Sequence, residues 1–132
     1  MNHAVIVEAI RSPMGRAKPD GSLAEVHPVD LLSQVLEQLV RKTGIDPGSV
    51  DDVICGCVSQ AGEQAGTPGR LAWLAAGLPL HVPSTTIDRK CGSSQQAVHF
   101  AAQAIMSGAQ DIVIACGVES MSRVPMGSSR MG

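Results

Sequence analysis

Polar and apolar positions along this chain repeat with two different periods. From Pro28 the apolar residues Leu31, Leu32, Val35, Leu36, Leu39 and Val40 recur at helical spacing. Pro28 suits a first helical turn and Gly44 a C-cap, so the pattern predicts a helix of about four turns between them. Short β-branched or continuous apolar runs read instead as strands: His3–Ala9, ended by Arg11-Ser12-Pro13, then Asp52–Val58, Ser84–Asp88 and Ile112–Cys116. Gly62, Gly66, Pro68 and Gly69 form a flexible loop leading into a second helix, Leu71–Ala76, which Gly77 and Pro79 stop. Cys91 opens a third helix, with Ala97, Val98, Ala101, Ala102 and Ile105 on one face and Gly108 at its close.

The predicted order is βαβαβαβ. Strands that read as near-continuous apolar runs belong in a mostly parallel sheet, so the expected class is α/β with helices on both faces. No repeat or linker divides residues 1–132, and the chain is read as one domain. One helix sits oddly in that plan. Cys91–Gln110 contains no charged residue, whereas a helix covering one face of a sheet normally turns a charged stripe to water. The expectation is that a further domain or subunit covers it.

Composition narrows the function. With 44% apolar and 17% charged residues the chain can build a core, and a net charge of -2 with only two aromatic side chains leaves no footprint for nucleic acid. The uncharged stretches Leu71–Ile87 and Cys91–Gln110 are interrupted by Pro79 and Pro83 or carry Ser, Gln and His, so no membrane span is expected. Met1–Glu8 lacks the order of a secretory signal, which points to the cytoplasm.

The four cysteines, at 55, 57, 91 and 116, have no CxxC spacing, so neither a zinc site nor a disulfide framework is indicated. Cys55 and Cys57 share a strand face and, like Cys116, read as core residues. Cys91 differs: it lies between a strand end and a helix start, where backbone N–H groups and the helix dipole favour a thiolate. Gly92, Ser93 and Ser94 after it are small enough for a substrate to approach. Position alone leaves a nucleophile and a small core residue both open. No spacing puts a histidine beside it: His99 is eight residues further along the helix, about 12 Å away, and His3, His27 and His81 lie elsewhere. Gly62, Gly66 and Gly69 match no phosphate-binding motif.

Three runs carry a family likeness. Ile87-Asp88-Arg89-Lys90-Cys91-Gly92-Ser93-Ser94-Gln95-Gln96-Ala97 resembles the nucleophile signature of thiolases, Arg11-Ser12-Pro13-Met14-Gly15-Arg16 their first strand-to-loop motif, and Gly117-Val118-Glu119-Ser120-Met121-Ser122 the segment after their fourth strand. The resemblance extends over nearly the whole chain. Two positions near Cys91 depart from it: Asp88 stands where Asn is frequent and Ser94 where Gly is frequent.

The resemblance implies an amino-terminal half of a two-half, five-layered protein, with the Cys91 helix in the middle layer. It implies an acyl-CoA C-acyltransferase in which Cys91 takes the acyl group as a thioester and its own backbone N–H helps hold the oxyanion. Coenzyme A is then a co-substrate, with no bound cofactor and no metal. The family's second half supplies a histidine, a second cysteine and an Asn that are absent from this sequence, so the 132 residues alone are expected to be inactive. Family members are homodimers or tetramers, with Ser84–Asp88 as the contact between copies. Gly62-Glu63-Gln64 and Leu78-Pro79 read more like degradative members. Two alternatives remain at this stage: a non-catalytic truncated or split thiolase chain that acts as an assembly partner, and a β-ketoacyl synthase relative.

Overall fold

A computed structural model describes residues 3–130. Helix α1 (Pro28–Thr43) forms where the spacing placed it: the His27 side chain accepts a hydrogen bond from Val29 N, Pro28 fills the first turn, and Gly44 closes the helix at φ 67°. Strand β1 (Asp52–Gly56), helix α2 (Pro68–Ala75), strand β2 (Ser84–Ile87), helix α3 (Ser93–Ser107) and strand β3 (Val113–Gly117) follow. The three strands are parallel in the order β2-β1-β3, with Val53 opposite Ser84 and Ile114, and Cys55 opposite Thr86 and Cys116.

This order explains the layering. The chain steps one way from β1 to β2 and the other way from β2 to β3, so crossovers of a single hand require α2 and α3 on opposite faces. Side chains alternate accordingly. Val53, Cys55 and Ile114 pack with Leu32, Leu36, Trp73 and Val82 on the face covered by α1 and α2, while Ile54 packs with Ala97 and Ala101 on the α3 face. Trp73 is fully buried, and its indole N–H donates to Pro79 O at 2.8 Å. No helix among the described residues is long and apolar enough to cross a membrane.

The α/β class, the parallel sheet and the helices on both faces agree with the pattern. Four readings need correction. His3–Ala9 is not a strand: it pairs with no other segment among the described residues, and Val5, Ile6 and Val7 are each more than 70% exposed. β-branched residues suit a pleated, half-buried surface, but a strand exists only where a neighbouring backbone takes its hydrogen bonds. The order of elements is therefore αβαβαβ. Helix α2 begins at Pro68, three residues earlier than expected, because proline's missing N–H costs nothing in a first turn. Helix α3 begins at Ser93, after Cys91, and buries Ser93, Gln96, Ala97 and Ala101. Val98, assigned to the packed face, lies outward with Phe100 and Met106, at 43%, 44% and 46% exposure.

Candidate active site

Parallel strands deliver their following loops to one edge of the sheet, where α/β folds place their chemistry. Here that edge carries Cys57–Gln64 after β1, Asp88–Gly92 after β2 and Val118–Arg123 after β3.

The segment after β2 is a tight elbow. Asp88 Oδ1 accepts from Lys90 N at 2.8 Å, and Lys90 adopts φ 52°, a left-handed conformation that few non-glycine residues take. The Lys90 ammonium closes back on Asp88 Oδ2 at 2.5 Å. Ser93 Oγ accepts from Arg89 N at 2.9 Å and donates to Lys90 O at 2.6 Å, tying the elbow to the first turn of α3. Hydrogen bonds from the Lys90 side chain and backbone hold the Asp88 carboxyl below its usual range. Asn at position 88 would supply the same turn acceptor, but not the charge that fixes Lys90.

Cys91 sits on this elbow. Among the described residues it is the one exposed thiol; Cys55 and Cys57 are buried and Cys116 is half-buried. No side chain caps α3, whose N-cap is Gly92. A nucleophile needs a reachable sulfur, and the elbow presents one; the N–H groups of Arg89, Lys90, Gly92 and Ser93 around it are donated to Ser93 Oγ, Asp88 Oδ1, Arg89 O and Lys90 O. No histidine among the described residues hydrogen-bonds to Cys91. His27 caps α1, His81 Nε2 bonds Gly48 O at 2.9 Å, and His99 lies with Arg89, Gly92, Gln95 and Gln96 around a shallow concavity on α3. No group of three His, Cys, Asp or Glu among the described residues could hold a metal.

Below the elbow two glycines make a floor. Gly56 ends β1 opposite Gly117 of β3, and a Cβ added to Gly56 would lie 2.4 Å from Ser94 N. One added to Gly117 would lie 1.9 Å from Ser94 Oγ. The first turn of α3 thus rests directly on backbone, and Ser94 packs its side chain over Gly117.

A clasp beside the floor joins the loops after β1 and β3. The Glu119 carboxylate accepts from Val58 N at 2.8 Å, Ser59 N at 3.1 Å and Gln64 Nε2 at 2.8 Å. Gln64 is fully buried, and its Oε1 accepts from Ser120 N at 2.6 Å. Arg123 donates to Glu63 at 2.5 and 2.7 Å, and this hydrogen bonding holds the Glu63 carboxyl below its usual range. Sequence reading did not single out this clasp. Its partners are 55 to 61 residues apart, and no periodicity links them. Cys57, beside the clasp, is a core thiol as expected; burial first, then the Glu119 charge, push it up to about 12.

Comparison with known proteins matches residues 4–131 to the family described as thiolase, N-terminal domain. A steroid 3-ketoacyl-CoA thiolase, FadA6, of Mycobacterium tuberculosis is 52% identical over 98% of this chain and 31% of its own length. A β-ketoadipyl-CoA thiolase of Acinetobacter baylyi is 49% identical over 98% of this chain and 32% of its own. The crystal structure of the Bacillus anthracis acetyl-CoA acetyltransferase superposes with a TM-score of 0.87 at 42% identity, covering 95% of this chain and 31% of that one. The chain thus spans about a third of the length of the relatives it matches.

Proposed function

The chain belongs to the thiolase family through its amino-terminal domain, and from that premise we propose that it is the nucleophile-bearing part of an acyl-CoA C-acyltransferase that cleaves a 3-ketoacyl-CoA with coenzyme A. One observation carries this reading: the exposed thiol of Cys91, held on a tied elbow at the sheet edge ahead of an uncapped helix.

In the proposed cycle the Cys91 sulfur bonds to the C3 carbonyl carbon, while the backbone N–H of Cys91 helps receive the negative oxygen. The C2–C3 bond then breaks. Its electron pair leaves on the α-carbon of acetyl-CoA, where a proton is delivered, and the acyl group stays on sulfur as a thioester. An incoming CoA thiol displaces Cys91 from that thioester and regenerates the enzyme. The base that activates Cys91 and the acid that protonates the α-carbon belong to the remaining two thirds of a thiolase polypeptide. The outward face of α3, with Val98, Phe100 and Met106, is where that remainder packs. Strand β2, at one edge of the sheet, is the contact between copies in a homo-oligomer.

The test is Cys91→Ala in the polypeptide as its own cell makes it. Thiolysis of a 3-ketoacyl-CoA should fall by roughly three orders of magnitude or more, and without CoA the wild type should carry an acyl adduct on the Cys91 peptide. Undiminished thiolysis in the variant would remove Cys91 from the mechanism. The 132 residues alone should give no turnover above background.

A further inference from the structure

Cys55 and Cys116 take no part in this chemistry, yet they are placed together. They are register partners on the neighbouring parallel strands β1 and β3, one residue before the Gly56–Gly117 floor. Adjacent strands lie ~4.8 Å apart, inside the ~4.4–6.8 Å span of Cα atoms that a disulfide bridges. Partners in register point to the same face, and both side chains pack at the core that α1 and α2 cover. The first turn of α2 closes on the same sulfur: a Cβ added to Gly69 would lie 2.6 Å from Cys55 Cβ and 3.4 Å from its Sγ, and the Cys55 thiol donates to Gly56 O at 3.8 Å.

We propose that Cys55 and Cys116 form a redox modification site, a vicinal thiol pair that a hydroperoxide converts to an intramolecular disulfide independently of Cys91.

The environment divides the roles. The neighbouring Cys116 side chain lowers the Cys55 thiol, while Cys55, then burial, raise Cys116. Cys55 is fully buried and Cys116 half-buried among the described residues, so the oxidant that suits the pair is one as small as hydrogen peroxide. The Cys55 thiolate attacks one peroxide oxygen; the O–O bond breaks, a sulfenic acid forms, and the departing oxygen leaves as water, or as an alcohol from an organic peroxide. The Cys116 sulfur then attacks the sulfenic sulfur, the S–O bond breaks, and the hydroxyl leaves with the Cys116 proton as water. Two thiols lose two electrons and two protons, and one peroxide bond is reduced. Cys57 stands apart from the pair: it lies beyond the end of β1 and has no register partner on β3, whereas Cys116 is directly opposite Cys55 at ~4.8 Å.

The experiment takes the protein as isolated from its own cells, reduces and desalts it, and exposes it to hydrogen peroxide. After a quench with N-ethylmaleimide, it is digested without reductant and mapped by mass spectrometry. The expected product is one cross-linked species joining the Cys55 and Cys116 peptides, lighter by two hydrogen atoms and reversed by dithiothreitol. It should form equally in Cys91→Ala, and in Cys116→Ala a sulfenic-acid trap should label Cys55 instead. Recovery of Cys55 and Cys116 as alkylated thiols after peroxide has oxidised Cys91 would overturn the proposal. So would a cross-link that joins either of them to Cys57 or Cys91.

Discussion

Gly56→Ala asks whether the close seat of α3 on the sheet stabilises the molecule. The added Cβ would stand 2.4 Å from Ser94 N, 2.6 Å from Ser93 C and 2.7 Å from Ser94 Cα, against ~3.5–4.0 Å for relaxed carbon contacts. All three obstacles are backbone atoms, so no side chain can rotate away and the start of α3 must rise by about 1 Å. That movement loosens Ala97 and Ala101 from Ile54 in the smaller core. Overpacking of this kind costs about 1–3 kcal/mol. Alanine's lower unfolded-state entropy returns roughly 0.5–1 kcal/mol of it, so a net loss of about 1–2 kcal/mol is expected. The assay is urea unfolding of the protein as purified, comparing midpoints at a constant slope. Gly92→Ala is the control: its Cβ would meet only Arg89 O, at 3.4 Å, and φ is -96°, so it should stay within about 0.5 kcal/mol of wild type. If Gly56→Ala is as stable as wild type, or Gly92→Ala loses as much, the glycine floor is not what seats the helix.

The thiols should alkylate in the order of their surroundings: iodoacetamide at low excess and neutral pH labels Cys91 first, and a native-state peptide map showing Cys57 labelled earlier would contradict its burial. Because Cys57 is pushed up to about 12 from 9.0, its contribution to stability is complete below pH 9.0 and is lost as pH rises through about 12; alkaline denaturation of Cys57→Ala against wild type reads this as a gap that narrows above pH 9.0. Glu63 has the opposite sign. Its carboxyl lies below the ordinary 4.5, so the Arg123 contact stabilises above that pH and fades as pH falls, and the difference between wild type and Glu63→Gln should close in acid. Gln64→Leu removes both ends of a fully buried amide bridge and leaves Ser120 N without its acceptor; a loss of about 1–3 kcal/mol in urea midpoint is expected, and an unchanged midpoint would count against the clasp.

Much of the fold is written in local pattern, and the exceptions have physical causes. Helix α1 is legible because its apolar spacing, Pro28 and Gly44 all point to the same element. Strands β1 and β3 are legible as short, largely apolar runs, and β2, the partly exposed Ser84–Ile87, by its β-branched Thr85, Thr86 and Ile87. His3–Ala9 has a similar composition but no paired strand among the described residues, and composition cannot report a paired strand. Pro68 and Gly69 read as loop punctuation although proline also starts helices, and only the Trp73 contacts below settle which use applies.

For the candidate site, Cys91 is legible because helix starts and nucleophile motifs are contiguous in sequence, whereas the clasp joins loops more than fifty residues apart. The glycine floor lies between these cases. A glycine inside a strand is a weak sign that another backbone comes close, and Gly56 and Gly117 each carry that sign alone. The sign becomes strong once register pairs them, because two neighbouring strands then lack side chains at the same height on the same face. Such a gap is filled by something without bulk of its own at the point of contact. Ser93 and Ser94 meet that demand, so these small residues after Cys91 answer the glycines below them before they answer any substrate above.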